Sequence, residues 1–238
     1  DQLADPDMWG NTSDFVNFAN KFYDYLPSFT QVYDGNIHAD MRSDLMRHKD
    51  GNNNISRGDY NMGAGDGDYT NSYKAIRRTC LLIEKAQGYA NTAEIRQPLG
   101  EAHFFRAWNY FFLVQKFGDV ILVDHSLDTD DPLMSAPRND RGEVIDFVIE
   151  DLRKAIGYLK SVSDIEEGRV GTEAASAFLS RVALYEGTWQ KFRGNEARAN
   201  QLLDIAAKAA KDVIDSKKFE IFEPAALGDD AYRCLLYT

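Results

Sequence analysis

The sequence predicts an all-α fold, a tetratricopeptide-like helical-repeat array with long decorating loops. Three observations carry that prediction. Six runs, each of roughly one to two dozen residues, place apolar side chains at helical spacing. Most are joined by short polar turns, and small residues recur where neighbouring helices would cross. At 238 residues the chain is long enough to bury a sizeable core, and it is read as a single helical-repeat domain over residues 1–238. The tetratricopeptide consensus itself is not met.

Taken in order, the first run is Asp14–Leu26, with Phe15, Phe18, Ala19, Phe22 and Leu26 on one face. Thr12 or Ser13 would cap it and Pro27 would end it. Residues 35–70 are rich in Gly, Asn and Asp and read as one long irregular loop, the first place to look for a site. A second helix is expected from Asn71 to Tyr89, burying Tyr73, Ile76, Cys80 and Ile83. The third runs from Thr92 to Phe117, with Phe104, Trp108, Phe111, Phe112 and Gln115 along one side. It has Pro98 in its first turn and Gly118 as its terminator. Val120–Val123 is a short extended piece.

The fourth helix, Glu143–Leu159, carries the stripe Ile145, Val148, Ile149, Leu152, Ile156 and Leu159, with Asn139 or Asp140 as cap. The fifth, Thr172–Lys191, is rich in alanine, so a neighbour can approach closely. The sixth, Ala197–Asp215, buries Leu202, Ile205, Ala206, Ala209 and Val213, and Lys218–Phe222 follows as a short extended piece.

Composition excludes more than it selects. A formal net charge of −11 argues against nucleic acid and anionic membrane surfaces as partners, because both call for a basic stripe. Two cysteines without metal-ligand spacing disfavour a disulfide framework and a structural zinc site, and Cys80 reads as a buried free thiol. The polar opening Asp-Gln-Leu-Ala-Asp-Pro-Asp is no secretory leader, and the end Tyr-Arg-Cys-Leu-Leu-Tyr-Thr reads as a cut. Four scattered histidines form no HExxH, and nucleophile-elbow, P-loop and dinucleotide signatures are missing. The chain is read as non-enzymatic, with no cofactor.

Several segments agree in order with a known family. A long helix ends in Phe117-Gly118-Asp119-Val120-Ile121-Leu122-Val123. Arg138 and the helix start Glu143-Val144-Ile145 follow, and that helix ends Asp151-Leu152-Arg153-Lys154-Ala155-Ile156-Gly157-Tyr158-Leu159. The turn Gly168-Arg169 then leads into an Ala-rich helix ending Leu184-Tyr185-Glu186-Gly187-Thr188-Trp189. In these segments the chain resembles the SusD/RagB-like family over about residues 72–222, with Ile121 where the family prefers Pro.

That resemblance implies a lipid-anchored outer-membrane protein on the extracellular face. It would capture a glycan and deliver it to a SusC-like TonB-dependent transporter. It also implies that this chain is the N-terminal portion of a longer protein, without the anchor and without the C-terminal part of the ligand surface. Gly118, Asp119, Arg138 and Arg169 are read as architectural, with Asp119 capping its own loop and the arginines pairing with carboxylates or carbonyls. Trp108 and Trp189 are read as core, and Trp9 as an exposed aromatic.

A saccharide asks for aromatic faces against its ring and planar polar groups across its hydroxyls. The loop before the second helix offers both. Tyr60 and Tyr69 are assigned to stacking, and Arg42, Asn53 and Asp68 to hydrogen bonding. A calcium loop starting at Asp50 is disfavoured, because Ile55 replaces the glycine the turn needs and Asn61 stands in place of the closing glutamate. The competing readings are a cytoplasmic helical-repeat scaffold for peptide or protein partners and a glycoside-processing enzyme on helical architecture.

Overall fold

The computed structural model describes residues 9–26, 58 and 65–220. Six α-helices lie among them: α1 Thr12–Asn20, α2 Gly67–Gln87, α3 Arg96–Phe117, α4 Arg141–Tyr158, α5 Thr172–Lys191 and α6 Glu196–Ser216. From α2 onward each helix packs on the next, which is the stacking of a helical-repeat array. The all-α expectation holds, and the fifth helix has the expected bounds.

Helix ends follow local chemistry, and this is where the expected bounds shift. The cap of α1 is Asn11 rather than Thr12 or Ser13, because Asn11 and Asp14 close a reciprocal capping box. The helix then tightens into a 3₁₀ turn, Lys21–Tyr25. Leu26 is extended (φ −79°, ψ 140°), as the residue before a proline must be. Asp66 caps α2 by accepting from the amides of Asp68 and Tyr69, so this helix starts well before Asn71. Asp68 and Tyr69 therefore sit in its first turn rather than in a loop. Asp140 caps α4, as one of the two expected residues.

The third helix departs furthest from its expected stripe. It begins at Arg96, with Pro98 in the first turn, and most of its residues are buried, including Glu101, His103, Arg106 and Asn109. It is the axis of the described fold, with α2 and α4 packed on it and α1 beside it. A helix covered on several sides needs internal partners for its polar groups, and α3 has them. Arg106 holds the Asp151 carboxylate with Nε at 2.7 Å and Nη2 at 2.8 Å, and His103 Nδ1 lies 2.8 Å from the same carboxylate. Burial alone would raise the Asp151 carboxyl. The Arg106 and His103 hydrogen bonds outweigh it and hold that carboxyl below the usual carboxylate range.

The segments that carried the family resemblance prove to be joints of the scaffold. Gly118 takes φ +71°, which an L side chain rarely adopts, and turns the chain out of α3. Asp119 does not cap its own loop. It accepts from the Arg141 amide and so fastens the start of α4. Arg169 Nη1 lies 2.9 Å from both oxygens of the fully buried Glu101. Glu186 is fully buried and takes the Arg141 Nε hydrogen bond at 2.7 Å, while Arg141 stacks over Trp189 at 3.9 Å. Gly187 lets α6 close in, since a Cβ there would meet Leu203 Cγ at 3.0 Å. Trp108 packs on Phe104 and Phe178, and Trp9 packs on Phe15 and Phe18 instead of standing free. Arg138 is exposed and Cys80 is a buried free thiol.

Candidate functional site

One face of α2 forms the wall of a cleft of about 510 Å³. Tyr69, Tyr73, Ile76 and Arg77 fall on that face because their spacing follows the helical turn. The opposite wall is the segment after α3, with Ile121, Val123, His125, Asp128 and Met134 among its lining residues.

That segment has little regular structure, so its position depends on long-range hydrogen bonds. Tyr73 Oη donates to the Ile121 carbonyl at 2.7 Å. Tyr110 Oη donates to the Val123 carbonyl at 3.0 Å and accepts from the Val123 amide at 2.7 Å. Val120 bridges to Asn139, whose side chain accepts from the Leu122 amide at 2.9 Å. Burial pushes the Tyr73 and Tyr110 phenols far above their ordinary range, so both remain hydrogen-bond donors.

His125 clamps the outer wall. Its Nδ1 is 2.7 Å from Asp124 and its Nε2 is 2.8 Å from Asp131, while Asp131 also accepts from the Leu133 amide. The hydrogen bonds to Asp124 and Asp131 raise the imidazole from 6.5 to about 9, so it is a cation at neutral pH and not a general base. The sign follows from linkage. A raised folded value contributes stability that is fully present below 6.5 and lost as pH rises through about 9. His125 should therefore titrate near 9 by NMR, and His125→Gln should remove that alkaline transition. Titration near the free value would contradict the clamp.

The cleft combines aromatic faces with opposed polar groups. The Tyr69 ring packs on Tyr73 with centroids 4.8 Å apart and meets Phe117 edge-on at 5.2 Å, which fixes its orientation. Arg77 and Asp128 are exposed and line the cleft together with Thr129. The same two residues bound a wider polar bay of about 720 Å³, where Tyr25, Lys74, Arg78 and Ser126 also lie. The Tyr25 and Ser126 hydroxyls are shielded there without a hydrogen-bond partner of good geometry, Arg78 standing beside the Tyr25 phenol.

Of the residues assigned from sequence, Tyr69 lies in this cleft. Asp68 does not line it and instead pairs with Lys116, tying the start of α2 to the end of α3. Arg42, Asn53 and Tyr60, and the disfavoured calcium loop, lie outside the described residues. Sequence reasoning missed Tyr73, Arg77, His125 and Asp128. Tyr73 packs against the core as its place in the apolar stripe predicts, and the run Tyr69, Tyr73, Arg77, repeating every fourth residue, also marks one face of α2. Among the described residues no group of three or more His, Cys, Asp or Glu could hold a metal ion. No helix among them is long and apolar enough to cross a membrane.

A SusD-like family model, described as starch-binding associating with outer membrane, matches residues 7–184. The chain belongs to the SusD-like family. A SusD-like protein of Bacteroides ovatus is 30% identical over 138 residues, covering 58% of this chain and 24% of that protein. SusD-like protein P2 of Formosa agariphila is 28% identical over 141 residues, covering 58% of this chain and 27% of its own length. The crystal structure of a SusD-like protein from Bacteroides fragilis superposes with a TM-score of 0.73 at 23% identity, over 98% of this chain and 43% of that one. A laminarin-binding SusD-like protein superposes with a TM-score of 0.51 at 27% identity, over 63% of this chain and 30% of that one. The chain thus spans less than half the length of the SusD-like proteins it matches.

Proposed function

We propose that this SusD-like chain is the N-terminal portion of a non-catalytic surface protein that captures a glycan and passes it to a SusC-like TonB-dependent transporter. In this reading the protein sits on the extracellular face of the outer membrane, held by a lipid anchor. The observation that carries it is the α2 cleft, which supplies an oriented aromatic face beside a guanidinium and a carboxylate, the two kinds of contact a sugar requires. The laminarin-binding relative supports the ligand class.

The roles follow from chemistry. Tyr69 offers its ring to the C–H face of a sugar. Arg77 donates to hydroxyl oxygens, and Asp128 accepts from hydroxyl protons. Arg42, Asn53 and Tyr60 stand in this reading as additional contacts, while Asp68 serves the Lys116 pair. Since the clamp keeps His125 protonated and held by two carboxylates, the geometry favours holding a ligand over activating water.

Affinity electrophoresis of the full-length protein against a polysaccharide panel tests the reading. Retardation by one glycan class is expected. Migration unchanged by every glycan would overturn glycan capture and turn attention to peptide cargo.

A further inference from the structure

A second cleft, of about 520 Å³, lies among α2, α3 and α4 and shares no lining residue with the first. Its floor is apolar, with Ile83, Ala86 and Leu99, and its polar groups include Arg96 and Lys154. No carboxylate among the described residues lines it, although the chain carries a formal net charge of −11. Arg96 uses Nη2 to donate to the Gly157 carbonyl at 2.6 Å, which leaves the rest of its fork available. The Lys154 ammonium is exposed and has no ion pair among the described residues.

His103 also lines this cleft and is only 5% exposed. Its Nδ1 faces the Asp151 carboxylate at 2.8 Å, and since a carboxylate only accepts, the Nδ1 proton points there. Nε2 has no hydrogen-bond partner among the described residues and is not one of the shielded polar atoms, so it is open to the cleft. The Tyr158 ring lies parallel to the imidazole, with centroids 5.8 Å apart and planes at 9°, and it is 36% exposed. The cleft thus presents two cations, the free Nε2 edge of an imidazole and an aromatic face.

We propose that this second cleft binds a sugar acid, a hydroxylated ring carrying a carboxylate, independently of the first. The carboxylate pairs with Lys154 and the free side of Arg96. The C–H face of the ring packs on Tyr158, and a ring hydroxyl, which can donate or accept, hydrogen-bonds to His103 Nε2. A neutral sugar leaves both cations without a counter-charge, and a bare inorganic anion leaves the aromatic face unused. A sugar acid meets all three.

Calorimetry with digalacturonate tests this, with a neutral disaccharide and sodium sulfate as controls. Digalacturonate should bind more tightly than either, and its affinity should fall as salt is added. Lys154→Ala and Tyr158→Ala should each weaken it about tenfold, the scale of one lost contact of this kind, while Tyr69→Ala leaves it unchanged. Lys154→Met, which keeps the aliphatic stem, replaces the alanine variant should that one melt early. Equal binding of the neutral disaccharide, or full competition by sulfate, would overturn the proposal. So would loss on Tyr69→Ala without loss on Lys154→Ala, which would move the acid to the first cleft. Since the residues are separate, failure here leaves the glycan reading of the first cleft standing.

Discussion

Asp151→Asn should cost about 3–5 kcal/mol of folding free energy, the loss found when one partner of a buried ion pair is removed. Asp151 is 1% exposed, and its carboxylate receives two hydrogen bonds from Arg106 as well as contacting His103. The amide keeps the shape and removes the charge, leaving a buried guanidinium that also reaches the Asp124 carbonyl at 3.0 Å. Domains hold only about 5–15 kcal/mol in total, so the variant should sit near the edge of folding. Urea unfolding at neutral pH measures the loss. The pH dependence has a definite sign. Because the folded carboxyl lies below 3.8, its stabilisation is present above that value and lost as pH falls through the folded one. The variant should lack that part of the acid transition. Replacing both partners with apolar residues, as in Arg106→Met with Asp151→Leu, should recover much of the loss, since the charges are expensive mainly when separated.

Arg169→Met should destabilise on a similar scale, about 3 kcal/mol or more, because it strands the carboxylate of Glu101. Arg169 is a junction. Besides Glu101 it reaches Asn20, and the next amide, of Val170, donates to Tyr23 Oη at 2.9 Å. The Gly168-Arg169 turn therefore joins the α1 segment, the start of α3 and the approach to α5. Gln97 reinforces the joint, donating both to Glu101 and to the Val170 carbonyl at 2.9 Å. Thermal unfolding of Arg169→Met beside Arg169→Met/Glu101→Gln separates the terms. The double variant should regain stability over the single one, and a single variant within 1 kcal/mol of wild type would show that the joint carries little, a loss typical of an exposed pair.

The sequence made the helices legible wherever one face is buried and the other is wet. Ala-rich α5 had the expected bounds, and α4 was found with its cap at Asp140. The pattern weakened for α3, because a helix enclosed on several sides has no single stripe to read. Helix starts moved where caps competed: Asn11 won over Thr12 because Asp14 completes the box, and Asp66 began α2 despite the glycine that follows it. The partners of the buried charges could not be read at all. Arg106 and Asp151 are 45 residues apart, and Glu101 and Arg169 are 68 apart, so only the stacking of the helices brings them together.

Little of the candidate site was legible. Residue type pointed to Tyr69 as a stacking face, and the first turn of α2 puts it in the cleft. The wall across from it was not found, because His125 and Asp128 belong to a segment without periodicity. Its place is fixed by Tyr73 at Ile121 and Tyr110 at Val123, contacts that no local spacing encodes.

The most direct test of glycan capture is calorimetry of the full-length protein with the polysaccharide selected by the panel, comparing wild type with Tyr69→Ala/Asp128→Ala. The account predicts binding by wild type and a loss of about 2 kcal/mol or more in the double variant, as expected when a stacking face and a hydrogen-bonding carboxylate are both removed. The variant should fold as wild type does. Unchanged affinity in a folded variant would contradict the account and place glycan recognition elsewhere on the protein.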